Sequence, residues 1–243
     1  MKPHFSPPSN KNPQKPIPEN ITNKEIVSII IAIIIASFIS FLPIIPNDDP
    51  VKILTTLIIF SIIIFSSIFT KRIVAKHFSI RIEHKFFEFS RWAFTKRSYF
   101  QKPIPMGAIF AFALGLFSLG YLKPFAFFQF NAENITKRRR LRNVGQRRAV
   151  RKEAYYINET DLGYTAASGF YALLILALIG SIISLIFDLK IGSDLAKYSI
   201  FYNLWNLVPY GNLDGSKLFF GVFYGWIFIT FLNLLGLLLI LIL

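Results

Sequence analysis

Four stretches of this chain, Ile26–Ile45, Ile53–Phe69, Thr165–Phe187 and Leu218–Leu243, contain no charged side chain at all. About twenty helical residues cross the ~30 Å hydrocarbon core of a bilayer, and only a segment apolar on every face is stable there. A soluble helix would show a polar side, and these stretches show none. They predict an all-α polytopic membrane protein. The chain has no cysteine, which removes disulfides, Cys-based zinc sites and thiol nucleophiles from consideration.

A fifth stretch, Tyr198–Pro209, is short and contains Asn203, Trp205 and Asn206. It crosses only if the following "PYGNLDG" continues at membrane depth, packed on protein or lining a cavity. About five transmembrane helices are therefore expected, at 26–45, 53–69, 165–187, 198–209 and 218–243. Residues 1–25, rich in Pro and Lys, are expected to form a disordered tail and not a signal peptide. Residues 103–130 are apolar but interrupted by Pro103, Pro105, Gly107, Gly115, Gly120 and Pro124, and a basic segment flanks them on each side, 70–102 and 131–164. A single crossing would strand one basic segment outside, so a re-entrant or strand-like element that enters and leaves on one side is expected. With that choice the tail, residues 70–164 and Lys217 hold all Lys and Arg except Lys52, Lys190 and Lys197. The positive-inside rule then gives a multi-pass protein of the cell membrane with a cytoplasmic N-terminus and an external C-terminus.

The one acid beside the last apolar runs stands in "NLWNLVPYGNLDGSKL". This stretch resembles the N-x-x-N-x-x-P-x-x-x-L-D-G signature of the site-2 protease family of intramembrane zinc metalloproteases. Asn203, Asn206, Pro209, Leu213, Asp214 and Gly215 fall on that pattern. "GYTAASGFYALLILALIG" is similar to the small-residue helix before the signature, without its Pro after Gly169. "LFSLGYLKPFAFFQF" looks like the membrane hairpin that precedes that helix, so the resemblance covers roughly residues 50–230. It implies a metalloprotease fold in which Asp214 stands at the position of the third zinc ligand.

The other two family ligands are histidines of an H-E-x-x-H motif, two imidazoles on one helical face with a Glu that activates water. The best register puts Ser67, Ile68 and Lys71 at those positions. A hydroxyl, an alkyl group and an ammonium cannot bind and activate zinc, and the three histidines, His4, His77 and His84, restore the motif in no register. His84 and Glu88 are four apart and would share a helical face; with Asp214 they would form a rebuilt site, although an ordinary interfacial helix is the simpler expectation. Asp214 itself has two open readings: a buried pair with Lys71 at the lost ligand position, or a cap on the helix that "DGSKLFF" begins.

The run "KRRRLRNVGQRRAVRK" adjoins the membrane and contains no nucleic-acid-binding module, so anionic lipid headgroups and not nucleic acid are the expected partner. Gly221 and Gly225 form a G-x-x-x-G, a candidate close-packing face. A rhomboid-type serine protease would need a His on a later helix, an aspartyl protease a second membrane carboxylate, and a transporter usually an internal repeat. None is visible. The expected function is thus a site-2 protease-like pseudoprotease with no catalytic residues and no cofactor, binding or regulating membrane proteins or peptides. The alternative is an active zinc metalloprotease with unconventional ligands.

Overall fold

The computed structural model describes residues 21–42, 50–91, 99–135, 138–144, 148–154 and 157–242. Most of the tail expected at 1–25 lies outside them. Among the described residues, four helices are long and apolar enough to cross a membrane: α1 (Asn23–Phe41), α2 (Pro50–His77), α4 (Glu159–Phe187) and α7 (Phe223–Ile242, of which Phe223–Ile240 is the apolar window). By helix length and composition the chain is a predominantly helical, polytopic membrane protein. The fifth expected crossing is part of α5 (Lys190–Leu207), which is not among the four, because Lys190, Asp194 and Lys197 lie in its first half. The last expected span also divides. It comprises a short α6 (Asp214–Gly221), a break at Val222 (φ −145°, ψ 77°), and then α7.

The helices are started and stopped by local chemistry. Asn158 caps α4 by accepting from the Thr160 N–H at 3.4 Å, with Glu159 and Asp161 in the first turn where the helix dipole favours acids. Asp188, left-handed at φ 50°, ends it and turns the chain into α5. Gly180 and Gly192 face each other across this turn, so α4 and α5 pack closely and antiparallel. Trp226 Nε1 donates to the Leu207 carbonyl at 2.9 Å, and Gly236 lies against Ile200, so α7 runs back along α5. The break at Val222 separates Gly221, packed on Gly163 of α4, from Gly225, packed on Val222 and Leu218. They do not form one face of one helix as the spacing suggested.

Among the described residues, three two-stranded antiparallel pairs supplement the helices, and the sequence reading did not anticipate them as sheets. β1 (Ile80–Phe86) pairs with β4 (Phe128–Asn134), β2 (Phe89–Arg91) with β3 (Tyr99–Ile104), and β5 (Arg138–Val144) with β6 (Arg148–Ala154). Between β3 and β4 runs α3 (Met106–Phe117), closed by Gly120 at φ 77°, whose N–H reaches the Gly115 carbonyl at 2.8 Å. Phe112 stacks on Phe38 and Gly115 abuts Ile39, near the end of α1. Lys123 then passes over the Tyr198 ring at 5.1 Å, and Phe127 bonds back to Phe87 beside β1. The 103–130 segment thus goes out as a helix and returns as irregular chain. Lys123, counted among the cytoplasmic charges by sequence, sits at the far part of this excursion.

The main core joins α1, α2, α5 and the returning chain. Phe60, Phe125 and Tyr198 meet there with ring centroids 5.0 to 6.5 Å apart. A second core under α4, α6 and α7 contains Ala166, Phe170, Leu218 and Ile229. The charged residues of interest lie where α1 begins, α2 ends and β1, β4 and α6 converge.

Candidate functional site

Asp214 is the first residue of α6 and is 1% exposed. Its carboxylate points at α2, where the ammonium of the buried Lys71 donates to Oδ2. Of the two readings left open by the sequence, the pair is what forms. The N-cap of α6 is Leu213, which makes no side-chain cap bond, and the acid in the first turn still gains from the dipole. Lys71 reaches its partner because Gly169 on α4 has no Cβ to obstruct the lysine stem. Lys217, three residues on, stands 3.9 Å from Asp214 Oδ1, donates to the Phe130 carbonyl, and lies 3.4 Å from the Phe130 ring centroid. One carboxylate is therefore flanked by two ammonium groups.

The rest of the signature builds the turn that delivers Asp214. Asn203 donates to the Phe170 carbonyl at 3.1 Å, tying α5 to α4. Asn206 donates to the carbonyls of Phe125 (3.0 Å) and Tyr202 (2.8 Å), tying α5 to the returning chain. Pro209 follows the end of α5, and Tyr210 N–H bonds back to Val208. Leu213 is buried, and a Cβ on Gly215 would strike the Leu207 and Asn206 carbonyls. Backbone oxygens cannot swing aside as a flexible side chain can. Gly215→Ala is expected to cost about 1–3 kcal/mol, read from unfolding in detergent micelles; a loss under about 0.5 kcal/mol would mean the turn is looser than this packing implies.

Ser67 and Ile68, where the resemblance expects the histidine motif to begin, are buried on α2 one turn before Lys71. The residues around Asp214 do not fit a divalent cation. The nearest charged groups are ammoniums, which repel one, and Lys71 already occupies the carboxylate. Among the described residues, no three His, Cys, Asp or Glu side chains are placed to share a metal. The set His84, Glu88 and Asp214 fails for a local reason. His84 lies in strand β1, not in a helix, so a four-residue spacing no longer brings it level with Glu88.

A second cluster lies beside the first, and sequence reasoning missed half of it. Glu25, assigned to the tail by sequence, is inside α1 and 2% exposed. Its carboxylate accepts from Arg72 Nη2 (2.5 Å), from the His84 backbone N–H (3.1 Å) and, at 3.1 Å, from the His84 ring Nδ1. One acid thereby joins α1, α2 and β1. His84, 1% exposed, faces inward with Ile80 and Ile82 by strand alternation. Burial pushes its imidazole below the usual histidine range, and the nearby Lys71 charge adds to this against the Glu25 hydrogen bond. With Nδ1 turned to Glu25, the buried Nε2 has no hydrogen-bond partner. The available signal was the acid itself, the last residue before a charge-free run, where only a partner makes burial tolerable.

An apolar cleft of about 320 Å³ opens between β2, the start of α3 and the signature turn. Phe87, Phe89, Phe110, Trp205, Tyr210 and Leu213 line it, and among the described residues no charged one does. Leu213 connects it to the buried acid.

No family model, curated protein or solved structure matches this chain.

Proposed function

We propose that this is a non-catalytic membrane protein with a site-2 protease-like arrangement, which binds or regulates other membrane proteins through its signature region. One observation carries the reading: the Asp214 carboxylate, which the family resemblance makes a zinc ligand, is held by the Lys71 ammonium. Lys71 also stands where the resemblance expects a ligating imidazole, so the same side chain removes a ligand and neutralises the remaining one. What the signature still does is mechanical. Asn203, Asn206 and Gly215 hold the turn against α4 and the returning chain, and that turn forms one wall of the aromatic cleft. A cleft lined by rigid rings suits an apolar segment of a membrane-protein partner. The cell membrane and a cytoplasmic N-terminus belong to this reading, supported by the segregation of Lys and Arg in the sequence.

The test is direct. Purified full-length protein is assayed for bound zinc and for chelator-sensitive cleavage of a transmembrane peptide. No stoichiometric zinc and no cleavage are expected, from the parent or from Asp214→Ala. Stoichiometric zinc that disappears in Asp214→Ala, with turnover, would establish the active-protease alternative instead. Ion or solute flux in vesicles that depends on Asp214 would establish transport.

A further inference from the structure

The excursion between β3 and β4 ends in a turn with the composition of a core and the exposure of a surface. From Met106 to Leu122 the chain carries no charged side chain. Ile109, Phe112 and Leu116, three and four apart, form an exposed stripe along α3. The stripe runs into the turn, where Phe117 is 86% exposed and Tyr121 82%, with Leu119 and Leu122 exposed beside them. Leu119 also holds φ 52°, the left-handed region that Gly or Asn fills at less cost. In water, a strained turn with four large apolar side chains facing outward gains nothing from the solvent.

The backbone of this turn is closed on itself. The Gly120 N–H reaches the Gly115 carbonyl and the Leu119 N–H the Leu116 carbonyl, the paired bonds that satisfy the last carbonyls of a helix. Ser118 N–H donates to Leu114, Tyr121 N–H to Ser118, and Leu122 N–H to the Ser118 hydroxyl, so five successive donors are paired within the segment. Hydrocarbon offers polar backbone no partner, so a turn can meet lipid only with its own groups already paired. The first charge after the turn is drawn inward, with the Lys123 ammonium 5.1 Å from the centroid of the Tyr198 ring on α5.

Position along α1 fixes the depth. Gly115 abuts Ile39, which at 1.5 Å per residue lies roughly 21 Å further along α1 than Glu25, against a hydrocarbon thickness of ~30 Å. Counted from the charged start of α1, the turn is inside the apolar slab and short of its far edge. Phe112 stacks on Phe38 of α1, itself exposed, so the stripe and the turn continue the outer surface of a membrane-length helix.

We propose that Phe117, Leu119, Tyr121 and Leu122 form a lipid-contacting tip, immersed among the acyl chains of the bilayer that holds α1. Hydrocarbon covers the turn, and neither water nor a second polypeptide does. The proposal rests on the membrane-spanning reading of the helices and not on zinc or partner binding, so its failure leaves those questions untouched.

Because the chain has no cysteine, single reporters can be placed in the full-length protein. Phe117→Cys and Tyr121→Cys report on the tip, Leu234→Cys on the exposed face of α7, and Lys24→Cys on the charged start of α1. In phosphatidylcholine nanodiscs an impermeant maleimide is expected to label both tip positions at least about tenfold more slowly than position 24, since hydrocarbon suppresses the reactive thiolate. The same variants, labelled with a fluorophore in detergent and then reconstituted, are expected to lose fluorescence to lipids brominated in mid-chain at the tip and at position 234 alike. A quencher confined to the headgroups should leave the tip bright. Tip labelling as fast as at position 24 would put the turn in water. Slow labelling without bromine quenching would mean that protein, a second copy of this chain included, covers it. Either result at the tip, with position 234 quenched, overturns the proposal alone; an unquenched position 234 would overturn the membrane reading with it.

Discussion

Lys71→Met is expected to destabilise the protein by about 3–5 kcal/mol in micelles, because it leaves the Asp214 carboxylate buried without its partner. Lys217, still 3.9 Å from Oδ1, limits the damage but is already engaged by the Phe130 carbonyl. Asp214→Asn should cost a similar amount, since two ammonium groups then face each other without an acid between them. Joining the two substitutions removes charge and counter-charge together. A buried pair exchanged for uncharged groups of similar volume is often close to neutral, so the double variant is expected within about 1 kcal/mol of the parent. The cycle would then report a coupling of several kcal/mol. Simple addition of the two single losses would mean that the pair does not hold α2 to α6.

The second large effect is expected at Glu25. Glu25→Ala removes the acceptor for three hydrogen bonds and releases the start of α1 from α2 and β1. A loss of about 3 kcal/mol follows from stranding the His84 N–H and ring. Arg72 contributes less, because its side chain is partly exposed and can turn to water. Acidification probes the same junction. The folded His84 binds its proton less readily than the unfolded chain, so the unfolded state takes up more protons as pH falls below about 6.5, the free histidine value. Stability should therefore be intact above that pH and decline below it, levelling off once the buried ring is protonated as well. Glu25 on α1, Lys71 and Arg72 on α2 and Asp214 on α6 supply the field the imidazole experiences. His84→Gln should remove the decline; an unchanged pH profile in that variant would assign it to other groups.

The helical membrane class was legible because it needs only local information. A run such as Ile53–Phe69 has no stable place except an apolar one, whatever its neighbours do. The signature turn was legible for a related reason, since Pro209 and Gly215 state their backbone requirements in a short stretch. Helix boundaries were less so. The continuation of α2 to His77 and the break at Val222 depend on what packs alongside, on Gly163 against Gly221 and on Trp226 reaching back to Leu207.

The sequence by itself determined that Asp214 would need a partner, since an isolated carboxylate among apolar residues is too costly to persist. It also determined that no imidazole or carboxylate stands at Ser67, Ile68 and Lys71, where the resemblance expects the histidine motif. Only the tertiary structure decided which cation answers the acid, because Lys71 and Asp214 are 143 residues apart and meet through the packing of α2, α4 and α6. It alone placed Glu25 inside the fold and His84 on a strand: charge burial and strand pairing are settled between distant segments, where single-chain periodicity carries no signal.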